Sequence, residues 1–136
     1  MVRSFIGLAL ALPLAACATT PPTDEPAETS ACPPSSGWRA WIDAMPGPGK
    51  SPTLLISGEV DIPAGMVAEL RPGPLDRMMP PGQRFVLELR KGEGPSGRQA
   101  VTGRVMPSQN VYREVIVGCG GNEIARIDGS AIETAR

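Results

Sequence analysis

The sequence predicts an all-β domain, and two observations lead to this prediction. Sixteen glycines and sixteen prolines among 136 residues disfavour long helices and suit short strands joined by tight turns. Seven or eight stretches in which apolar and polar residues alternate lie between the turn signals. Short strands at such spacing are typical of sandwiches and barrels. We therefore expect a small antiparallel β-sandwich of the immunoglobulin-like kind, with a small β-barrel as the alternative.

The first half of the domain contains three predicted strands. Residues 37–43 alternate with an aromatic side chain on each face, which indicates a strand. The loop over 44–52 is rich in proline and glycine, and residues 53–62 have the β-branched and leucine content of a half-buried strand. A turn over 63–65 leads into a third alternating stretch over 66–71.

The second half has the clearest strand of the chain. Residues 84–91 place Phe85, Leu87 and Leu89 on one face, and further strands are predicted over 99–106, 111–119 and 123–128, with a short edge strand over 130–133. Between two of these strands, Gly120-Gly121 is a hairpin signal because type I′ turns need positive φ at both positions. The side chains expected in the core are Phe85, Leu87, Leu89, Val115 and Val117.

A second long loop, predicted over residues 72–83, is the candidate binding loop. Its segment 72–81 carries Leu75, Met78 and Met79 among prolines that restrict φ and lower the entropy lost on binding. Long loops in compact domains are usually functional or disordered. Two alternatives are that these side chains pack under the loop to close one end of the sandwich, and that methionines supply soft ligands for copper.

The first seventeen residues have the pattern of an export signal. Arg3 is followed by a nearly continuous apolar run over residues 5–14, which is too short to span a bilayer. Leu14-Ala15-Ala16-Cys17 then resembles the lipobox of bacterial lipoproteins. The resemblance implies that residues 1–16 are a signal peptide and that Cys17 becomes the lipidated first residue, acylated with palmitate-type chains.

The resemblance also implies a location. An aspartate directly after the lipidated cysteine resembles an inner-membrane retention signal, and this chain has Ala18. We therefore expect the periplasmic face of the outer membrane. Residues 17–31 lack large apolar side chains and are expected to form a disordered tether between the anchor and a domain over 32–136.

The remaining cysteines are Cys32 and Cys119. Because an exported protein lies in an oxidising compartment, we expect them to form a disulfide. Two free thiols or a metal site are the alternatives, but two thiols without any histidine are too few ligands for structural zinc.

Charge and residue types narrow the function. The full chain has 13 basic and 14 acidic residues, and removal of residues 1–16 takes away one arginine. The remaining chain therefore has a net charge of −2. This weak negative charge disfavours a nucleic-acid partner. The absence of histidine excludes Ser-His and Cys-His nucleophiles, so we expect no catalytic residue, metal or cofactor.

The expected function is a non-enzymatic binding or structural module with a possible envelope protein partner. An inhibitor of an exported protease or lysozyme is the first alternative and a small envelope hydrolase is the second.

The lipobox gives the first testable prediction. Replacement of Cys17→Ser removes the thiol that receives the lipid, so the precursor should stay uncleaved and unlabelled when cells are fed a fatty-acid probe. Cys32→Ser, which leaves the lipobox intact, is the control and should still be labelled. Undiminished labelling of the Cys17→Ser variant would contradict the assignment.

Overall fold

The structure is a computed structural model that describes residues 32–136. The predicted signal peptide over residues 1–16 and the predicted tether over 17–31, including Cys17, lie outside the described residues. Within residues 32–136, no helix is long and apolar enough to cross a membrane.

Eight strands and one short 3-10 helix make up the described chain. In order they are β1 (Ser35–Asp43), β2 (Thr53–Ile62), β3 (Met66–Leu75), β4 (Gly82–Lys91), β5 (Gly97–Val105), β6 (Glu114–Cys119), β7 (Asn122–Asp128), the 3-10 helix (Gly129–Ala131) and β8 (Glu133–Ala135).

The strands form two four-stranded sheets, one with the order β5-β2-β1-β8 and the other with the order β3-β4-β6-β7. This arrangement confirms the predicted sandwich, and the sheets do not close into the alternative barrel. The expectation of purely antiparallel sheets was wrong. Strand β8 runs parallel to β1 and β6 runs parallel to β4, because each returns to its neighbour after a connection through the other sheet.

The core lies between the sheets and is almost entirely aliphatic. Phe85, Leu87, Val115 and Val117 are buried, as predicted. Leu89 is only half-buried because it lies two residues from the end of β4, where it packs on the margin of the core.

Gly103 determines how closely the two sheets approach. A Cβ atom at this position of β5 would come within 2.9 Å of the ring of Phe85 in the opposite sheet and 3.1 Å of Ile56. The missing side chain therefore makes the space that the aromatic ring fills.

Strand β3 is longer than the sequence predicts. Residues 72–75 were expected in the candidate loop, but Pro72 pairs with Phe85 and Leu75 pairs with Gln83 across a bulge. Prolines fit here because β3 is an edge strand, where a missing N–H need not face a partner. The loop itself is therefore only residues 76–81.

Gln83 supports this bulge from the inside. Its side chain is buried, and its amide nitrogen donates to the carbonyl oxygen of Gly73 at 2.9 Å and to that of Arg84 at 2.8 Å. The side-chain amide satisfies a carbonyl that the irregular pairing leaves without a strand partner.

Two predicted strand boundaries at the end of the chain were wrong. Residues 111–113 are loop, and β6 begins at Glu114. The predicted edge strand over 130–133 is instead a 3-10 helix followed by β8. The side chain of Asp128 accepts from the N–H of Ser130 at 2.9 Å, which caps the turn and delays the last strand.

Cys32 and Cys119 are bonded, with their Cα atoms 5.9 Å apart, as predicted. The bond joins the start of the described chain to the end of β6, next to the predicted hairpin turn, where Gly120 and Gly121 both have positive φ. We call this end of the sandwich the disulfide end. It also contains the turns over 63–65 and 92–96.

Loss of the disulfide should lower the stability of the domain markedly. The bond closes a sequence separation of 87 residues, and loop-closure entropy places its contribution at about 4–5 kcal/mol. The double variant Cys32→Ser/Cys119→Ser should show a lower urea midpoint than the parent, and reduction of the parent should give the same shift. An unchanged midpoint would contradict the role given to the bond.

Candidate functional site

Large apolar side chains are exposed mainly at one end of the sandwich, opposite the disulfide end. Seven such side chains are exposed within the described residues, and six of them lie in or beside the loops 44–52, 76–81 and 106–113. We call the surface that these three loops form the methionine end. Its exposed apolar residues are Met45, Leu75, Met78, Met79, Met106 and Val111.

The topology explains why three distant loops meet. Asp43 at the end of β1 pairs with Thr53 at the start of β2, and the same end of β2 pairs with Val105 at the end of β5. In the other sheet, the start of β4 lies beside the start of β6. The connections that leave these strand ends therefore emerge on one side, about 25–30 Å from the disulfide end at the usual rise of a strand.

The loop over 106–113 joins the other two. The N–H of Ser108 donates to the carbonyl oxygen of Pro52 at 2.8 Å, and the N–H of Arg113 donates to that of Pro81 at 2.9 Å. Tyr112 lies under this loop with its hydroxyl accepting from the N–H of Gln109 at 2.9 Å, and burial raises the pKa of its phenol. The three loops therefore form one connected surface.

Asp76 fixes the shape of the loop over 76–81. One carboxylate oxygen accepts from the N–H of Gly82 at 2.8 Å and from that of Met78 at 3.0 Å, and the other accepts from Arg113 at 2.7 Å. The Gly82 hydrogen bond, helped by the Met78 N–H and the Arg113 guanidinium, lowers the pKa of this carboxyl below its ordinary value despite some desolvation. The loop is held closed while Met78 and Met79 point outward.

Arg113 links this loop to a chain of charges along β6 and β7. Besides Asp76, it contacts the mostly buried carboxylate of Glu114 at 2.9 Å. Glu114 also pairs with Arg126, which binds Glu123 at 2.6 Å. The charges alternate in sign, so the buried carboxylate is compensated on both sides. Both arginines and all three carboxylates of this network are paired with one another, and Arg113 connects the network to the loop over 76–81.

The predicted binding residues are exposed and lie together. Leu75 follows the β3 bulge, and Met78 and Met79 lie in the loop, where 91% of the Met79 side chain is accessible to solvent. The alternative in which these side chains pack beneath the loop does not agree with their exposure. That the surface binds a partner stays a prediction.

Sequence reasoning missed Met45, Met106 and Val111 as neighbours of this site. A signal was present, because each of the three loops contains the dipeptide Met-Pro, at residues 45–46, 79–80 and 106–107. Proline keeps its own position and the preceding residue out of regular structure. Each methionine is therefore placed where a strand has ended.

Two small clefts lie between the loops. One of about 260 Å³ opens between the end of β3 and the loop over 106–113. The other, of about 250 Å³, lies between the loop over 44–52 and Met106, with Asp43 and Lys50 in its wall. Each has room for about one apolar side chain of a partner rather than for a drug-sized ligand.

A further cleft lies elsewhere, where β8 meets β1. It measures about 410 Å³ and is lined by Arg39, Ala40, Trp41, Ala131 and Glu133. The Arg39 guanidinium carbon lies 5.5 Å from the centre of the Trp41 ring, a cation–π distance. Within the described chain, no group of three histidine, cysteine or carboxylate side chains is placed to hold a metal ion.

Removal of the Asp76 carboxylate should open the loop over 76–81. The Asp76→Ala variant loses the acceptor for the Gly82 and Met78 amides, so these N–H groups should exchange with solvent faster than in the parent. Asp61→Ala, on an exposed carboxylate toward the disulfide end, is the matched control. The pKa of Asp76 in the folded protein lies below the ordinary value of 3.8. The stabilisation of the loop by the Asp76 carboxylate is therefore complete above pH 3.8 and is lost as the pH falls through the lowered pKa. Exchange at Gly82 that is unchanged by the mutation would contradict this account.

Comparison with known proteins finds no match to this chain among family models, curated proteins or solved structures. Its function must therefore be inferred from the residues of the domain itself.

Proposed function

We propose that this protein is a bacterial lipoprotein that is anchored by lipid on Cys17 to the periplasmic face of the outer membrane and acts non-enzymatically by binding another envelope component. The lipobox over residues 14–17 supports the anchor. Binding takes place at the methionine end, and the sandwich serves as the rigid scaffold that presents it.

The observation that carries the proposal is the concentration of exposed apolar side chains at that end. Contiguous apolar surface is unfavourable in water and commonly marks an interaction site. Burial of one such side chain by a partner contributes roughly 1.5–3 kcal/mol. Methionine suits this role because its flexible thioether adapts to irregular surfaces.

The loops are arranged before any partner arrives. Asp76 closes one loop, and backbone hydrogen bonds of Ser108 and Arg113 join all three. A surface that is already ordered loses less conformational entropy on binding, so more of the burial free energy appears as affinity.

An inhibitor of an exported protease or lysozyme is the second candidate. It is favoured by one specific observation, the braced and outward-facing loop over 76–81, since a rigid loop on a stable scaffold can occupy an enzyme cleft. The hydrolase alternative has less support, because the cleft where β8 meets β1 presents a single carboxylate, Glu133, beside Arg39. A glycosidase needs two carboxylates at a defined separation.

Site-specific photocrosslinking in cells tests the proposal. A photoreactive amino acid at position 79 should give a covalent adduct with a protein or a phospholipid. The same amino acid at position 96, an exposed site in the turn at the disulfide end, should give much less. Equal yields at the two positions would contradict binding through the methionine end.

A further inference from the structure

We infer that the component bound by the methionine end is an anionic phospholipid bilayer, so that the protein holds the membrane both by its lipid and by this surface. The inference rests on the proposed anchoring and identifies the binding partner of the same site. Three features of the described residues and the length of the preceding segment lead to it.

The first feature is the apolar surface itself. Six apolar side chains project from three loops at one end, and Met79 and Met106 are exposed by 91% and 64%. The hydrocarbon boundary of a bilayer can accept them without any shape-matched pocket, and unbranched thioether side chains adapt readily to it.

The second feature is the charge around these side chains. The three loops carry Lys50, Arg77 and Arg113, of which Arg113 is paired with Asp76 and Glu114. Within residues 32–136, Lys50 and Arg77 make no ion pair. Long basic side chains beside an apolar surface can extend to lipid phosphates while the apolar groups enter the bilayer.

Most of the acidic groups that border the three loops are engaged in contacts within the protein. Asp43 accepts from the N–H of Met45, and Asp128 caps the 3-10 helix. Asp128 lies next to the loop over 106–113, because the N–H of the following Gly129 donates to the carbonyl oxygen of Arg113 at 2.7 Å. Glu133 pairs with Trp41, two residues before the end of β1. Lys50 and Arg77, the two loop cations without an ion pair within residues 32–136, lie in the same loops as Met45, Met78 and Met79.

The third feature is that the exposed apolar side chains of the three loops include no aromatic residue. Rigid aromatic anchors in well-packed pockets are common at protein interfaces, although aromatic residues also occur at bilayer interfaces. The three loops have one aromatic residue, Tyr112, and its side chain is buried. The surface offers adaptable apolar groups rather than rigid anchors.

The fourth feature is reach. Fourteen residues, 18–31, separate Cys17 from Cys32. At about 3.1 Å per residue they can extend about 43 Å, which exceeds the roughly 25–30 Å length of the sandwich. The methionine end can therefore touch the membrane that holds the anchor, and tethering supplies a high effective concentration that makes a weak contact sufficient.

The test uses the processed, lipidated protein in vesicles of phosphatidylethanolamine and phosphatidylglycerol. With Cys17 lipidated and Cys32 bonded to Cys119, Met79→Cys introduces a single free thiol for an environment-sensitive fluorophore. Ser96→Cys is the matched control at the disulfide end. Fluorophore at position 79 should emit at shorter wavelength and be quenched several-fold more by lipids with nitroxide-labelled acyl chains than fluorophore at position 96.

The charge requirement is tested in the same system. Replacement of phosphatidylglycerol by phosphatidylcholine, or the substitutions Lys50→Glu and Arg77→Glu, should reduce the quenching at position 79. Equal quenching at positions 79 and 96, or quenching that ignores both changes, would overturn the inference, and the former would favour a protein as the occupant. Failure of the anchor is seen separately, as a mass spectrum without lipid on Cys17.

Discussion

The contact between Phe85 and Gly103 sets the distance between the two sheets, and the rest of the domain depends on it. The ring occupies the space that a side chain on β5 would take, with Ile56 against it. Fully buried aliphatic side chains fill the remaining interior: Leu54, Val60, Leu87, Val115 and Val117. Most of this interior is filled by strand residues, and Tyr112 is the loop side chain that joins it, so the six exposed apolar side chains of the methionine end lie outside the core.

The consequence is an end of the sandwich that is apolar yet ordered. Arg113 connects the loop over 76–81 with buried Glu114, and its own N–H donates to Pro81. Order in this surface comes from polar contacts beneath it, while its outward side carries methionines. Polar contacts beneath and apolar side chains outside suit a surface that binds a partner. On binding, the polar contacts are kept and the apolar side chains are removed from water.

The sequence predicted most of the sheet and part of the site, for physical reasons that differ between segments. The β-branched and leucine content of residues 53–62 and the alternation of residues 84–91 predict their strands, and the second pattern also predicts the burial of Phe85 and Leu87. The extension of β3 through Pro72 was missed, because proline normally ends a strand and the supporting amide of Gln83 is a tertiary contact. Leu75, Met78 and Met79 were identified from composition. Met45 and Met106 join them only through the pairing of β1, β2 and β5, which no local pattern encodes.

The most direct test of the proposed membrane contact is the solvent exposure of the methionine methyl groups when the lipidated protein is placed in nanodiscs. Met45, Met78, Met79 and Met106 lie at the methionine end, whereas Met66 is half-buried at the opposite end of β3 and serves as an internal reference. With carbon-13 in the methyl groups, a water-soluble relaxation agent should broaden the four signals in nanodiscs of phosphatidylcholine alone. In nanodiscs that contain phosphatidylglycerol, it should broaden them much less, with the Met66 signal unchanged. Equal broadening of the four signals in both media would contradict the claim that this end is covered when the protein is in place.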